Sequence, residues 1–167
     1  MKIRRWLVAL IMVSGLALLT ARPQAQGALG TLLTPAEIEQ VAGLHGVQVI
    51  RRGAGPAANG DLNFALGDGT MLLVVIAFDA ASFTRKPIVS KVGSDTITTN
   101  LFHADVPGVG DDAFDGPPDG VQYLLYVRKG AKAFSLTTFS QGLGSQRHVL
   151  LTQPQLRELA KIIAARM

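Results

Sequence analysis

Hydrophobic and polar positions in this chain follow two periods, one typical of helices and one typical of strands. Helical spacing occurs over Ile38, Val41 and Ala42, and again in a run near the end of the chain: Leu156, Leu159, Ile162, Ile163 and Met167. A Thr-x-x-Glu or Thr-x-x-Gln sequence precedes each run, at 34–37 and at 152–155. Such a capping box satisfies two free N–H groups at the start of a helix. The pattern therefore predicts an N-terminal and a C-terminal helix.

Between these helices the pattern changes to the shorter period of strands. Residues 71–78 are continuously apolar and rich in Val and Ile, which predicts a central strand covered on both faces. Alternation over 61–66 predicts a neighbouring strand. The clearest hairpin joins 121–128 to 133–139 around the turn Lys129-Gly130. In total we expect about five or six antiparallel strands packed with the two helices, which is an α+β fold.

Two segments between those strands are less regular. Asp79 is placed to cap a short helix over 80–83, which Pro87 would end. The next segment, 89–102, fits neither period throughout, and only 97–102 is compatible with a strand.

The first 27 residues have the composition of a secretory signal. A basic start at 2–5 is followed by an apolar run over 6–19. This run is shorter than the roughly 20 residues that span a bilayer, which disfavours the alternative of a retained membrane anchor. The small residues at 25–27 predict cleavage after Gly27, with cleavage after Ala25 as the second choice. We therefore expect residues 28–167 to form a single periplasmic or secreted domain, without stable membrane insertion.

Charge and cysteine content exclude several classes of function. The whole chain carries a net charge of +4, but the predicted signal holds four of the basic residues and no acidic ones, so the mature chain is neutral. A nucleic-acid-binding domain would need a basic face, so we expect no nucleic-acid partner. The chain has no cysteine, which excludes disulfides, thiolate metal sites and cysteine nucleophiles.

A Gly-rich acidic segment, 106–120, precedes the predicted hairpin and is the candidate site region. Gly108 and Gly110 are expected to supply backbone conformations that a side chain resists. Asp111 is expected to hold the turn by accepting hydrogen bonds from backbone N–H groups. The segment is therefore predicted to be a structural turn or a ligand-binding loop.

The four aspartates of this segment raise the question of metal binding. Calcium prefers several carboxylate and carbonyl oxygens on a flexible loop, but the spacing lacks the alternating acids and final Glu of the helix-loop-helix calcium site. We therefore predict no metal and no cofactor, with Asp112, Asp115 and Asp119 facing water. Tyr123, in the following strand, is the remaining candidate residue. Tyr123 and Tyr126 fall on opposite faces of that strand, and at least one of them is expected to line the core or a cleft.

No complete catalytic constellation is visible in the sequence. His45, His103 and His148 are far apart and lack the i, i+4 spacing of metal ligands. No serine lies in a Gly-x-Ser-x-Gly sequence. We therefore expect a non-enzymatic binding or accessory module for a small ligand or an envelope protein. A small hydrolase with an unrecognised site and a calcium-stabilised structural protein remain as alternatives.

Three segments resemble a recurrent bacterial pattern. They are Val-Pro-Gly-Val-Gly-Asp-Asp-Ala-Phe at 106–114, Tyr-Leu-Leu-Tyr-Val-Arg-Lys-Gly at 123–130 and Leu-Ala-Lys-Ile-Ile-Ala-Ala-Arg at 159–166. Together they are similar to small exported proteins of unknown function with a PsbP-like fold. The resemblance implies an α/β/α sandwich and an envelope location, and it implies no enzymatic activity and no agreed ligand.

Overall fold

The structure is a computed structural model that describes four segments of the chain: residues 31–50, 61–117, 122–141 and 148–167. The predicted signal and Asp119 lie outside the described residues. In chain order the helices and strands are α1 (Pro35–Ala42), β1 (Gln48–Ile50), β2 (Asp61–Ala65), β3 (Met71–Asp79), β4 (Ile88–Val92), β5 (Asp95–Thr99), β6 (Ala104–Asp105), β7 (Asp112–Asp115), β8 (Gln122–Lys129), β9 (Lys132–Gln141), β10 (His148–Val149) and α2 (Gln153–Arg166).

Both helices begin at the capping boxes that the sequence predicts. The Thr34 hydroxyl accepts from the N–H of Glu37, and the Glu37 carboxylate accepts from the N–H of Thr34 at 2.9 Å. Thr152 and Gln155 form the same reciprocal pair at the start of α2. Of the predicted buried stripe of α2, Leu156, Leu159 and Ile163 are buried, whereas Ile162 is only half-buried, and Met167 follows the last helical residue and is exposed. Among the described residues, no helix is long and apolar enough to cross a membrane.

Eight of the described strands form one large antiparallel sheet with the order β1-β2-β3-β9-β8-β7-β6, and β10 pairs with β9. The predicted α+β class is confirmed, but the expected five or six strands were too few, since this sheet alone has eight. The strands β6, β7 and β10 have two to four residues each. Segments this short give no measurable period in a sequence.

The two faces of the sheet have different covers. Successive residues of a strand point to opposite faces, and Ala113, Val127 and Phe134 form one cross-strand row on the face that packs against the helices. The neighbouring row, with Phe114 and Tyr126, lies on the other face. The two helices pack side by side on the first face, where the Gln155 amide donates to carbonyls at the end of α1. The α/β/α sandwich implied by the resemblance remains a prediction.

Strand β3 lies near the middle of the sheet, as predicted, but it is covered on both faces only in its first half. Leu72, Leu73 and Val75 are fully buried, whereas Ile76 is 38% exposed. Ile76 points to the face opposite the two described helices, and this explains why a continuous apolar run does not produce continuous burial. After β3, a short 3-10 helix spans Ala80–Ser82, but the Asp79 side chain makes no capping hydrogen bond to it.

The segment without a clear period, 89–102, contains most of a second, separate hairpin. Strands β4 and β5 pair with each other around the turn Gly93-Ser94 and with no other strand among those described. All residues of both strands are exposed. Without a buried face, these strands lack the alternation by which a strand is recognised in a sequence.

Candidate functional site

The acidic segment is partly a turn and partly a strand, and not a loop throughout. Its first half, Val106 to Asp111, is closed by a 2.9 Å hydrogen bond from the N–H of Val106 to the carbonyl of Ala113, within β7. Gly108 and Gly110 have φ angles of 77° and 61°, as predicted for positions that a side chain resists. Val109 between them is buried in the core. The two glycines therefore allow a tight turn that inserts Val109 between the sheet and the helices.

Asp111 accepts a hydrogen bond from a backbone N–H, as predicted, but from that of a different turn. Its carboxylate accepts from the N–H of Gly130 and from the Lys129 ammonium, both at 2.7 Å. The hydrogen bond from Lys129 keeps the pKa of Asp111 below its usual value. Asp111 therefore fastens the acidic segment to the β8–β9 turn.

Asp112 was expected to face water and instead forms an ion pair. Its oxygens accept from both terminal nitrogens of Arg85, at 2.9 and 2.5 Å. Arg85 also donates to Asp105 at 2.8 Å. The hydrogen bond from Arg85 lowers the pKa of Asp112, and the two carboxylates together raise the pKa of Arg85. Such forked contacts between arginine and carboxylate are more directional than contacts made by lysine.

Aromatic rings surround this ion pair on the face of the sheet opposite the two described helices. The Arg85 guanidinium lies 5.1 Å from the centre of the Phe114 ring and 5.7 Å from those of Phe83 and Phe102, within cation–π range. Phe114 also stacks on Tyr126 with ring centres 4.8 Å apart. Burial raises the pKa of Tyr126. Sequence reasoning missed this cluster because its members come from four separate segments.

Asp115 was also expected to face water, and that prediction is wrong. Asp115 is only 7% exposed, and its carboxylate accepts from the Arg157 guanidinium at 2.7 Å. The register pairs Asp115 with Leu125, on the face that α2 covers. A carboxylate buried at this position needs a basic partner, and α2 supplies Arg157.

Tyr123 lies at the margin of the core. It is half-buried and packs against the core cluster, on the same face as Leu125 and Val127. It is not among the residues that line the groove described next.

A groove of about 600 Å³ opens between the turn at 106–111, hereafter the glycine turn, and the two helices. The turn contributes Pro107 and Val109, and α1 contributes Val41. The remaining lining residues belong to α2: Pro154, Gln155, Arg157, Glu158, Lys161 and Ile162. The groove thus has apolar walls and a charged rim, and it lies beside the candidate segment. The α2 residues of the groove could not be recognised as a site from the sequence, because any amphipathic helix shows the same spacing of apolar and charged residues.

The charged groups at the rim are arranged in pairs. Lys161 donates to Glu158 at 2.7 Å, one turn along α2. Arg157 uses one terminal nitrogen to reach Asp115, while its Nε is buried without a hydrogen-bond partner among the described residues. The rim therefore combines paired charges with a guanidinium whose donors are not all satisfied by the described residues.

The described aspartates of the acidic segment diverge to three different basic partners. Asp111 contacts Lys129, Asp112 contacts Arg85, and Asp115 contacts Arg157. Within the described ranges, no three or more side chains of the types that bind metals come together. The chain matches no family model, no curated protein and no solved structure. The PsbP-like resemblance therefore stays a prediction.

Proposed function

We propose that this protein is a non-enzymatic binding or accessory module of the periplasm or the secreted space. It takes a small ligand into the groove between the glycine turn and α2. The groove itself carries the proposal, because its volume of about 600 Å³ is typical of small-molecule sites, which range from about 300 to 1,000 Å³.

The lining favours an amphipathic ligand. Val41, Pro107 and Ile162 offer apolar surface from three different elements. The charged rim, with Arg157 and Lys161, is suited to a polar or anionic head group. An apolar body with a polar head matches this combination, since apolar walls supply affinity and a few polar groups set the orientation.

The walls of the groove are held in place by contacts that do not need the ligand. The Gln155 side chain donates to the carbonyls of Val41 and Ala42 at 3.3 Å and ties α2 to α1. The contact between Arg157 and Asp115 ties α2 to β7. A site formed in advance loses less conformational entropy when a ligand binds, which supports a binding role for this surface.

An anionic apolar dye tests the proposal directly. We expect 8-anilinonaphthalene-1-sulfonate to bind the mature chain with one dominant site in a fluorescence titration. Ile162→Gln is expected to weaken this binding strongly, because it replaces an aliphatic wall of the groove. Val49→Gln is the matched control, since it removes an exposed aliphatic residue outside both the groove and the β4–β5 hairpin. Equal affinity in wild type and Ile162→Gln, or loss of binding in Val49→Gln alone, would contradict the proposal.

A further inference from the structure

The β4–β5 hairpin, residues 88–99 and hereafter the arm, is an exposed apolar surface. It pairs with no other described strand, and every residue of both strands is exposed. Four of the eight exposed large hydrophobic residues in the described part lie on it: Ile88, Val89, Val92 and Ile97. A two-stranded hairpin alone is marginally stable in water, and clustered exposed aliphatic residues mark interaction surfaces.

The base of the arm is firmly attached to the sheet, although its strands are not. Before the arm, Phe83 packs against Phe114, and Arg85 binds Asp105 and Asp112. After the arm, Phe102 packs against Phe114 as well. The aromatic and ionic contacts described above therefore fix both ends of the arm, and the arm is presented to the solvent in a defined place.

The aliphatic residues of the arm are concentrated on one face. The register pairs Ile88 with Thr99, Ser90 with Ile97, and Val92 with Asp95. Residues paired across two strands share a face, so Ile88, Val92 and Ile97 lie together, exposed by 47%, 60% and 48%. The opposite face carries Val89, Lys91, Thr96 and Thr98.

The outer edge of β4 presents, in alternating positions, backbone N–H and C=O groups that pair with no other strand among those described. Gly93 has a φ of 63° and precedes Ser94, the order that type II′ hairpin turns prefer. Val92 and Asp95, which flank this two-residue turn, form a hydrogen-bonded pair. Hydrogen-bonded and non-hydrogen-bonded pairs then alternate along the two strands. The N–H groups of Ile88, Ser90 and Val92 therefore point to β5, whereas those of Val89 and Lys91 point outward.

We propose that the arm binds the arm of a second copy of this chain, through antiparallel pairing of the two β4 strands around a two-fold axis at Ser90. Val89 then lies opposite the second copy's Lys91, and these residues exchange the outward N–H···O bonds. Ile88 lies opposite the second copy's Val92. The product is a closed, symmetric dimer with a four-stranded arm sheet, in which the apolar faces form one surface.

Charge favours a second copy in this orientation. The cations Lys86 and Lys91 and the anion Asp95 are exposed. In the antiparallel register, the base of one arm meets the tip of the other. Lys86 therefore lies beside the turn of the second copy, close to the second copy's Asp95. Lys91 lies opposite an uncharged valine. A parallel arrangement would instead place the lysines beside their equivalents, which is unfavourable.

The composition of the two edges selects β4 over β5. Strand β4 carries Ile88, Val89 and Val92, whereas β5 carries Ile97 together with three threonines. Pairing through β4 brings aliphatic residues of the two copies side by side, and cross-strand aliphatic pairs stabilise sheets. Pairing through β5 would bring mainly threonines together.

The first test compares the outward N–H groups of the two edges. Sedimentation velocity over a concentration series should show a reversible dimer of the mature chain. Lys91→Pro removes an outward N–H from each copy and should weaken the dimer by about tenfold or more. Thr98→Pro is the matched control, because its N–H points outward from β5, and it should leave the dimer unchanged. A monomeric wild type, or stronger weakening by Thr98→Pro, would overturn the proposal.

The second test uses the absence of cysteine from the chain and does not depend on proline. Residues on the two-fold axis form a non-hydrogen-bonded pair with Cα atoms about 4.5 Å apart, within the range that a disulfide bridges. Ser90→Cys should therefore give covalent dimers rapidly under mild oxidation. Thr98→Cys, on the opposite edge, should remain largely monomeric under the same conditions. Equal rates of cross-linking in the two variants would refute the arrangement.

Discussion

Gly110 provides a direct test of how the glycine turn is built. A Cβ atom at this position would lie 2.6 Å from the carbonyl oxygen of Arg128 and 2.7 Å from a methyl carbon of Val127, and φ is 61°. The left-handed conformation costs a non-glycine residue about 1–2 kcal/mol. Forcing an extra methyl group into packed structure costs about 1–3 kcal/mol more. Gly110→Ala is therefore expected to reduce the free energy of unfolding by about 2–5 kcal/mol.

Gly108 is the matched control for this substitution. Its φ is 77°, but apart from the two residues next to it in the chain, no described residue would have an atom within 4 Å of a Cβ atom there. Gly108→Ala should therefore cost only the conformational term, about 1–2 kcal/mol. Urea unfolding followed by circular dichroism measures both variants, and an unchanged slope with denaturant would show that only stability has changed. If Gly110→Ala were no less stable than Gly108→Ala, the close approach of the turn to β8 would be wrong.

Two further predictions concern carboxylates that bind basic partners. Asp111→Ala should lower the melting temperature, because the N–H of Gly130 and the ammonium of Lys129 lose their acceptor. Saturating calcium should leave the melting temperature of the wild type unchanged. A calcium-dependent rise above about 5 °C would favour the calcium-stabilised alternative. The hydrogen bond from Arg166 lowers the pKa of Glu37 from 4.5 to about 2. The stability that this carboxylate provides should thus be complete above pH 4.5 and disappear as the pH falls toward 2. Unfolding curves across that range should depend less on pH in Glu37→Gln, and identical dependence would contradict the prediction.

The predictable parts of the fold are those specified by neighbouring residues. Thr34 and Thr152 each find their partner three residues away, so a capping box is visible in the sequence. The β8–β9 hairpin is also visible in the sequence, because its two strands are neighbours in the chain. Its observed turn, Gly130–Ala131, lies one residue beyond the predicted Lys129-Gly130. Gly93-Ser94 was an available turn signal for the arm, but the exposed strands beside it gave no supporting alternation.

The arrangement around Arg85 and Arg157 could not be predicted because it depends on long-range packing. Arg85 reaches Asp112 across 27 residues, and Arg157 reaches Asp115 across 42. Whether an aspartate in a Gly-rich segment faces water depends on what lies above it in the folded chain. At Asp115 the cover is α2, and no residue near Asp115 in the sequence indicates it.

Strand β7 explains why aspartates that are close in sequence do not form one site. Alternation along the strand points Asp112 and Asp115 to opposite faces of the sheet, while Asp111 lies at the edge beside the β8–β9 turn. The three carboxylates therefore serve three contacts: Asp111 holds the hairpin, Asp112 holds the base of the arm, and Asp115 holds α2 at the groove. A four-residue strand thus supports both proposed binding surfaces, one on each face of the sheet. The density of acidic residues follows from this structural role, because each carboxylate neutralises a basic group from a different part of the fold.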